Sequence, residues 1–354
     1  MVIVDHAFPL GGFGKDPFWG FTRGQASLGS IAVAGFFAVS GYLIAKSGLH
    51  GDVVQFLWRR ILRIFPAYWL VLLLTAFAVG PILWILSNGT LTSYFGGEGQ
   101  TPYFYISSNW TLQIGTYGIY DLLANTTPYG LEVGASALNG SLWTLIYEWR
   151  SYLIIAFLVT FGILTRARVV VPMLTAFFFV LLILLNLNSG VEQSLVPTFL
   201  GDQYMVTLGF TFLVGSTIAV YSKEIPFDSW IGAFSGILML VTLRWGGFST
   251  IGTIAGVYFV LYLAARLPKK VQWVGQKNDY SYGIYIYGFL VQQVLAFFGM
   301  YKWGFWPYVL TAWAVTFVCA YFSWHVVEKW AMKLKDIGPG RGIVFWWHKL
   351  RRTS

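Results

Sequence analysis

The sequence predicts an all-α protein, a polytopic transmembrane helical bundle of about ten spans with the first one truncated at its N-terminus. Three observations predict it. Counted with Gly and without Tyr, the apolar share of the 354 residues is roughly 62%, against about 45–50% in ordinary globular domains. Only 10% of residues are charged, too few to cover the surface of a soluble protein of this size. Most of the charges also fall between apolar runs rather than inside them. These numbers exclude a disordered chain, a charged coiled coil and a small disulfide scaffold.

A membrane helix needs about 20 mostly apolar residues. Nine runs meet that length: about 28–47, 65–87, 141–163, 169–187, 200–221, 228–243, 247–266, 280–299 and 305–325. Tyr68 and Trp69 open the second run, Trp84 lies near its end and Trp143 opens the third, as interfacial anchoring predicts. Residues 1–10 are too few to cross a bilayer, so the chain is expected to start partway through a first helix. No cleavable signal peptide is expected.

Orientation follows from placing each Lys and Arg on alternate sides. Eighteen of the 23 fall on one side; only Lys15, Arg23, Arg244 and Lys302 fall on the other, and Arg150 lies within a run. The basic side is read as cytoplasmic and includes the C-terminus, which makes a multi-pass protein of the plasma (inner) membrane. The formal net charge of +9 is therefore membrane topology and not a nucleic-acid surface. The single cysteine, Cys319, forms no intrachain disulfide, and no metal site is expected.

Between Arg63 and Arg150 there is no Lys or Arg. The connection 88–140 lies in this stretch and is read as external. It is rich in Gly, Ser, Thr, Asn and Tyr. Two readings stay open, an ordered polar cap able to meet a neutral ligand such as a sugar, and a solvated loop. Residues 1–335 form one transmembrane domain. The tail 336–354 contains the stretch 341–352, which mixes basic and bulky apolar residues as a segment lying on anionic lipid would.

Four segments could carry chemistry. His6, at the outer end of the partial first helix, has the side chain whose unperturbed pKa of about 6.5 suits a general base near neutral pH; a structural His before Pro9 is the alternative. Arg59 and Arg63 share a helical face, with Arg60 beside them, and guanidinium forks suit phosphate; ordinary positive-inside charge is the alternative. In the segment 139–152, Ser141 is placed to cap the helix. Leu145, Glu148 and Tyr152 follow at helical spacing. An ionisable Glu148 roughly two turns into a membrane helix is costly and a functional candidate, with a structural ion pair as its alternative. Finally, Gly35 to Ile44 puts small residues in a membrane helix, first of all a packing signal. His50, His325 and His348 are assigned no role.

Taken in order, these segments resemble the membrane-bound acyltransferase family 3, integral-membrane acyltransferases that commonly modify surface glycans. The matching residues are His6; Gly35, Phe36, Phe37, Ser40, Gly41, Tyr42, Leu43 and Ile44; Arg59, Arg60, Arg63, Ile64, Pro66, Tyr68 and Trp69; Ser141, Leu142, Trp143, Thr144, Leu145 and Glu148; and Tyr280 through Tyr287. The resemblance runs over nearly the whole chain. It implies transfer of an acyl group, usually acetyl, from cytoplasmic acyl-CoA to a hydroxyl of an extracytoplasmic polysaccharide or glycolipid. By position, His6 is similar to the catalytic His, with Glu148, in the family's second site motif, orienting it or stabilising charge. Arg59, Arg60 and Arg63 correspond to the acyl-CoA (acetyl-CoA) entrance. Asn139, Ser141, Trp143 and Tyr152 become the candidates for substrate binding.

Two departures stand out. The family pattern has an Arg eleven residues before the catalytic His, whereas this sequence begins five residues before His6; and Gly288 follows Tyr287 where many relatives carry His. The rival readings are a transporter or flippase for a glycan or lipid-linked sugar, and a non-catalytic assembly partner. An intramembrane Glu148 suits transport too, but neither paired interrupted helices nor an inverted repeat is visible.

Overall fold

The computed structural model describes residues 1–49, 52–88, 90–187, 200–268, 270 and 278–336. Among them every regular element is helical and no strand occurs. The basic stretch 341–352, His50 and His348 lie outside the described residues.

Numbered in chain order, the main helices are α1 (Val2–Leu10), α2 (Leu28–Gly48), α3 (Val53–Ser87), α4 (Gly140–Thr160), α5 (Val170–Asn186), α6 (Gln203–Val220), α7 (Ser229–Trp245), α8 (Phe248–Ala265), α9 (Ser281–Phe297) and α10 (Phe305–Asp336). Six of them, α2, α3, α4, α6, α8 and α10, are long and apolar enough to cross a membrane; α5 and α7, at 17 residues each, are shorter apolar helices. Outward-facing side chains agree with a lipid setting. On α7, Trp230, Phe234 and Ile237 stand 85%, 65% and 62% exposed, a burden that water would not tolerate across a whole helix face.

Two helices outrun the apolar runs that predict them. The run 65–87 is only the second part of α3, which starts at Val53 and carries the arginines on its first turns. The run 305–325 likewise continues to Asp336. Hydropathy stops at the first charges, whereas backbone hydrogen bonding does not. Both helices pass through a π-helical segment, Thr75–Val79 in α3 and Trp324–Glu328 in α10, and a third π segment, Phe248–Gly252, opens α8. Such segments hold one residue more per turn.

The described residues form two compact units. The first comprises Met1–Asp16, Ile61–Ile146 and Trp273–Leu334. In it, Ala7 of α1 packs with Ala296, Tyr308 and Val309, and Leu10 with Ala137 and Phe289. Among the described residues of the connection 88–140, buried polar side chains are tied into local hydrogen bonds. Asn109, 1% exposed, donates to the Thr116 carbonyl at 2.8 Å and accepts from the Gly115 and Thr116 amides. Tyr68 donates to the Asn109 carbonyl, and Tyr94 to that of Ala76 at 2.7 Å. The polar residues of this segment therefore satisfy one another, as buried polar groups must.

The second unit comprises Pro17–Arg60, Tyr147–Gln272 and, of the described residues, Lys335 and Asp336. Its core joins α2, α5, α6 and α8 through Ala38, Phe178, Leu213, Val257 and their neighbours. Helices α2 and α6 approach backbone to backbone. A Cβ on Gly41 would lie 2.0 Å from the Phe212 carbonyl oxygen, and one on Gly215 would lie 2.3 Å from that of Ala38. Ser216 adds a hydrogen bond to the Gly41 carbonyl at 3.1 Å. Small residues thus do here what they commonly do between membrane helices. Gly35 is different: a Cβ there meets nothing within 4 Å.

Candidate active site

In the first unit, His6 is half-buried near the middle of α1. Its ring stands edge-on to Phe289 of α9, with centroids 5.3 Å apart and planes at 76°. Phe289 is itself held by Tyr129, at 6.0 Å and 85°, and by Gly140, where a Cβ would come within 2.7 Å of the Phe289 ring. Burial, then the Glu132 carboxylate, hold the Tyr129 phenol above its ordinary pKa, so that it stays protonated near neutral pH. Among the described residues no hydrogen bond reaches either ring nitrogen of His6. Its position is set through its helix and through ring packing, and its nitrogens keep their capacity to exchange a proton.

The segment that opens α4 is tied to α9 by polar bonds. Asn139, 1% exposed, donates from Nδ2 to the Ile286 carbonyl at 2.7 Å. Ser141 donates to Asn139 Oδ1 at 3.0 Å or to the Tyr285 carbonyl at 3.2 Å. Tyr285 in turn donates to the Ser141 carbonyl at 2.5 Å and is paired with the Thr144 hydroxyl. Ser141 therefore does not cap the helix. Residues Gly140–Thr144 form a 3-10 turn with Asn139 as N-cap and no side-chain cap bond, because the hydroxyl that would cap is committed to Asn139 and Tyr285. Trp143 is half-buried on the same turn.

Glu148 and Tyr152 belong to the second unit. Glu148 is 5% exposed and accepts a hydrogen bond from the Tyr152 phenol, itself 3% exposed. The Ser40 hydroxyl of α2 stands 3.4 Å from the Tyr152 oxygen. Since the phenol spends its one proton on Glu148, Ser40 is the donor of that second bond. The result is a buried relay, Ser40 to Tyr152 to Glu148, that links the small-residue segment of α2 to the carboxylate of α4.

The three arginines have different surroundings. Arg59, its side chain 40% exposed, pairs with Asp336 at 2.8 Å, and Gln55 one turn earlier donates to the Lys335 carbonyl at 2.6 Å. The Arg60 guanidinium lies over the rings of Phe56 and Tyr152, 5.8 and 5.9 Å from their centroids. Arg63, in the first unit, reaches Asp279 at 2.6 Å and the 2%-exposed Glu328 at 3.5 Å, with the Tyr282 and Trp324 rings beside it. Ser323 donates to Glu328 at 2.9 Å. Arg150 points toward the Leu200 carbonyl at 3.4 Å and the backbone of Gly201.

Sequence reasoning singled out His6, Glu148, Tyr152, Asn139 and Ser141. It placed Ser40 and Tyr285 within motifs of the resemblance without giving either a role of its own, and it passed over Gln292 and Gln293. The available signal for the glutamines was two adjacent amides inside an apolar run, which a membrane helix does not carry without a use.

The fold is a helical scaffold with several helices long and apolar enough to cross a membrane, and it carries a half-buried His in one unit and a carboxylate held by a phenol in the other. The profile of the acyltransferase domain family matches residues 1–325, and the chain belongs to this family of acyltransferases. It is 31% identical over 338 residues to a protein named O-acetyl transferase from Shigella phage Sf6, covering 93% of this chain and 91% of that one. It is 27% identical over 329 residues to nodulation protein 10 of Rhizobium leguminosarum bv. viciae, covering 86% and 82%. No solved structure matches it at a significant level.

Proposed function

We propose that this acyltransferase moves an acetyl group from acyl-CoA on the cytoplasmic side of the plasma (inner) membrane to a hydroxyl of an extracytoplasmic glycan or glycolipid. The observation that carries the reading is His6, with its ring oriented by Phe289 and its nitrogens unengaged among the described residues, in a chain 31% identical to a protein named O-acetyl transferase. On this reading the imidazole accepts the hydroxyl proton as the hydroxyl oxygen bonds to the acyl carbon. The carbon–sulfur bond of the thioester breaks, and the proton is returned to the departing sulfur. General-base assistance of this kind contributes about 10²- to 10⁴-fold.

The donor's phosphates fit Arg59 and Arg60 better than Arg63. The Arg59–Asp336 pair has side chains 40% and 59% exposed, and such a pair is weak enough to be exchanged for a bidentate phosphate. Arg63 is already held by two carboxylates and adds charge to the region. Glu148 is the second catalytic candidate, and Asn139, Ser141, Trp143 and Tyr152 the acceptor-binding ones. On this reading α1 and the nine longer helices would make about ten spans, of which six are long and apolar enough to cross a membrane by themselves, with the eighteen basic residues and the C-terminus in the cytoplasm.

The test is ester-linked acetate released by mild base from envelope glycans, comparing cells that express this chain with cells expressing equal amounts of His6→Ala. Acetate that depends on His6 supports the proposal. Equal acetate from both would remove His6 from the mechanism, and none from either would return the chain to the transport reading.

A further inference from the structure

Helix α9 carries two consecutive glutamines, Gln292 and Gln293, both 0% exposed. Burying an amide in a membrane helix is unfavourable unless it is bonded, so each calls for a partner. Neighbours on a helix point about 100° apart and reach different elements. The Gln292 Nε2 donates to the carbonyl of Ile3 at 2.9 Å, and the Gln293 Nε2 donates to the carbonyl of Ala137 at 2.7 Å. Only the NH₂ end of an amide can meet a carbonyl, so both orientations are fixed.

Ile3 lies three residues before His6, on the same face of α1. That helix contains Pro9, which removes a backbone donor from its last turn. Its apolar packing through Ala7 and Leu10 is non-directional and leaves it free to slide or turn. A bond from a buried amide supplies the missing direction. The backbone that carries the donating amide is also fixed, because Tyr308 donates to the Gln292 carbonyl at 2.7 Å. One turn earlier, Gly288 lets α1 come close: a Cβ there would lie 3.3 Å from Ile3 Cγ1.

We propose that Gln292 is a positioning residue that sets the rotation and height of His6 through its side-chain amide on the Ile3 carbonyl, while Gln293 holds the acceptor-side segment through Ala137. The proposal rests on His6 as the general base.

The test uses membrane vesicles containing the full chain, radiolabelled acetyl-CoA as donor and the endogenous envelope glycan as acceptor. Wild type is compared with Gln292→Met, Gln292→Glu, Gln293→Met and His6→Ala, with detergent melting temperature as the control for folding. Gln292→Met, isosteric but without a donor, is expected to lower the rate at saturating acetyl-CoA about 10- to 100-fold. Its KM for acetyl-CoA should stay within about twofold and its melting temperature near that of the wild type. Gln292→Glu is expected to recover toward wild type as the pH falls, since only the protonated carboxyl can donate to Ile3. Gln293→Met should act chiefly on the concentration of acceptor required. A wild-type rate in Gln292→Met, beside a dead His6→Ala, would overturn the role of Gln292 alone. If Gln292→Met fails to fold, a Gln292→Glu rate that does not respond to pH overturns it instead. A wild-type rate in His6→Ala would overturn the assignment of His6 and this proposal with it.

Discussion

The Tyr152 phenol donates its proton to the Glu148 carboxylate one helical turn away, and both side chains are almost wholly buried. Residues four apart on a helix lie one above the other, so the pair is a local product of spacing. Its third member, Ser40, comes from 112 residues away. The carboxylate is thereby held in one orientation from its own helix while its support is steadied from another.

Tyr152→Phe removes the donor and leaves a buried carboxylate short of one bond. Hydrogen bonds to charged groups contribute about 1.5–3 kcal/mol, so acyl transfer should fall about 10- to 100-fold with little change in the amount of protein. Ser40→Ala, one step further along the relay, should cost less. Initial rates in membranes at matched abundance check both, and a wild-type rate in Tyr152→Phe would show that Glu148 does not need its phenol.

Arg63→Ala should destabilise the protein by about 3–5 kcal/mol, because Glu328, 2% exposed, would lose its cation. Arg59→Ala breaks only an exposed pair and should cost less than about 1 kcal/mol of stability; under the proposed function it should also raise the KM for acetyl-CoA. Thermal unfolding in detergent and donor-concentration curves separate the two effects. Arg59→Ala with an unchanged KM would count against a phosphate at that position.

Gly41→Ala and Gly215→Ala should each prevent the close approach of α2 and α6, since the added Cβ would meet a carbonyl oxygen at 2.0 and 2.3 Å. Gly35→Ala, in the same helix but with open space around it, should be close to neutral in stability. Melting temperatures of the three variants, measured side by side, give the comparison; equal values would mean that the two helices can part without penalty.

Asn109→Ala should loosen the loop that Asn109 ties together between helix α3 and helix α4. Three hydrogen bonds converge on that side chain, and a loss of about 2–3 kcal/mol is expected if each contributes about 1 kcal/mol. Faster proteolysis within that loop, without loss of the helical circular-dichroism signal, is the expected readout.

The helices were legible because lipid demands long apolar runs, and 28–47 or 305–325 could hardly be anything else. Their ends were not, since a helix continues through Arg59 and Arg63 although hydropathy stops there. The Glu148–Tyr152 pair was legible for the same local reason that makes it form. The bonds from Gln292 to Ile3, from Gln293 to Ala137 and from Tyr285 to Ser141 were not, because they join residues 144 to 289 positions apart and no periodicity records such partners. Ser141 misled because a serine before an apolar run is ordinarily a cap, and here α9 competes for its hydroxyl.

The π segment Thr75–Val79 has a consequence for anyone mapping α3 one residue at a time. The wider turn advances the phase of the helix, so a stripe of positions that reads as one face before Thr75 is displaced around the axis after Val79. A cysteine-labelling scan from Val53 to Ser87 should show two patterns of reactivity, each periodic, that cannot be joined by a single 3.6-residue wave.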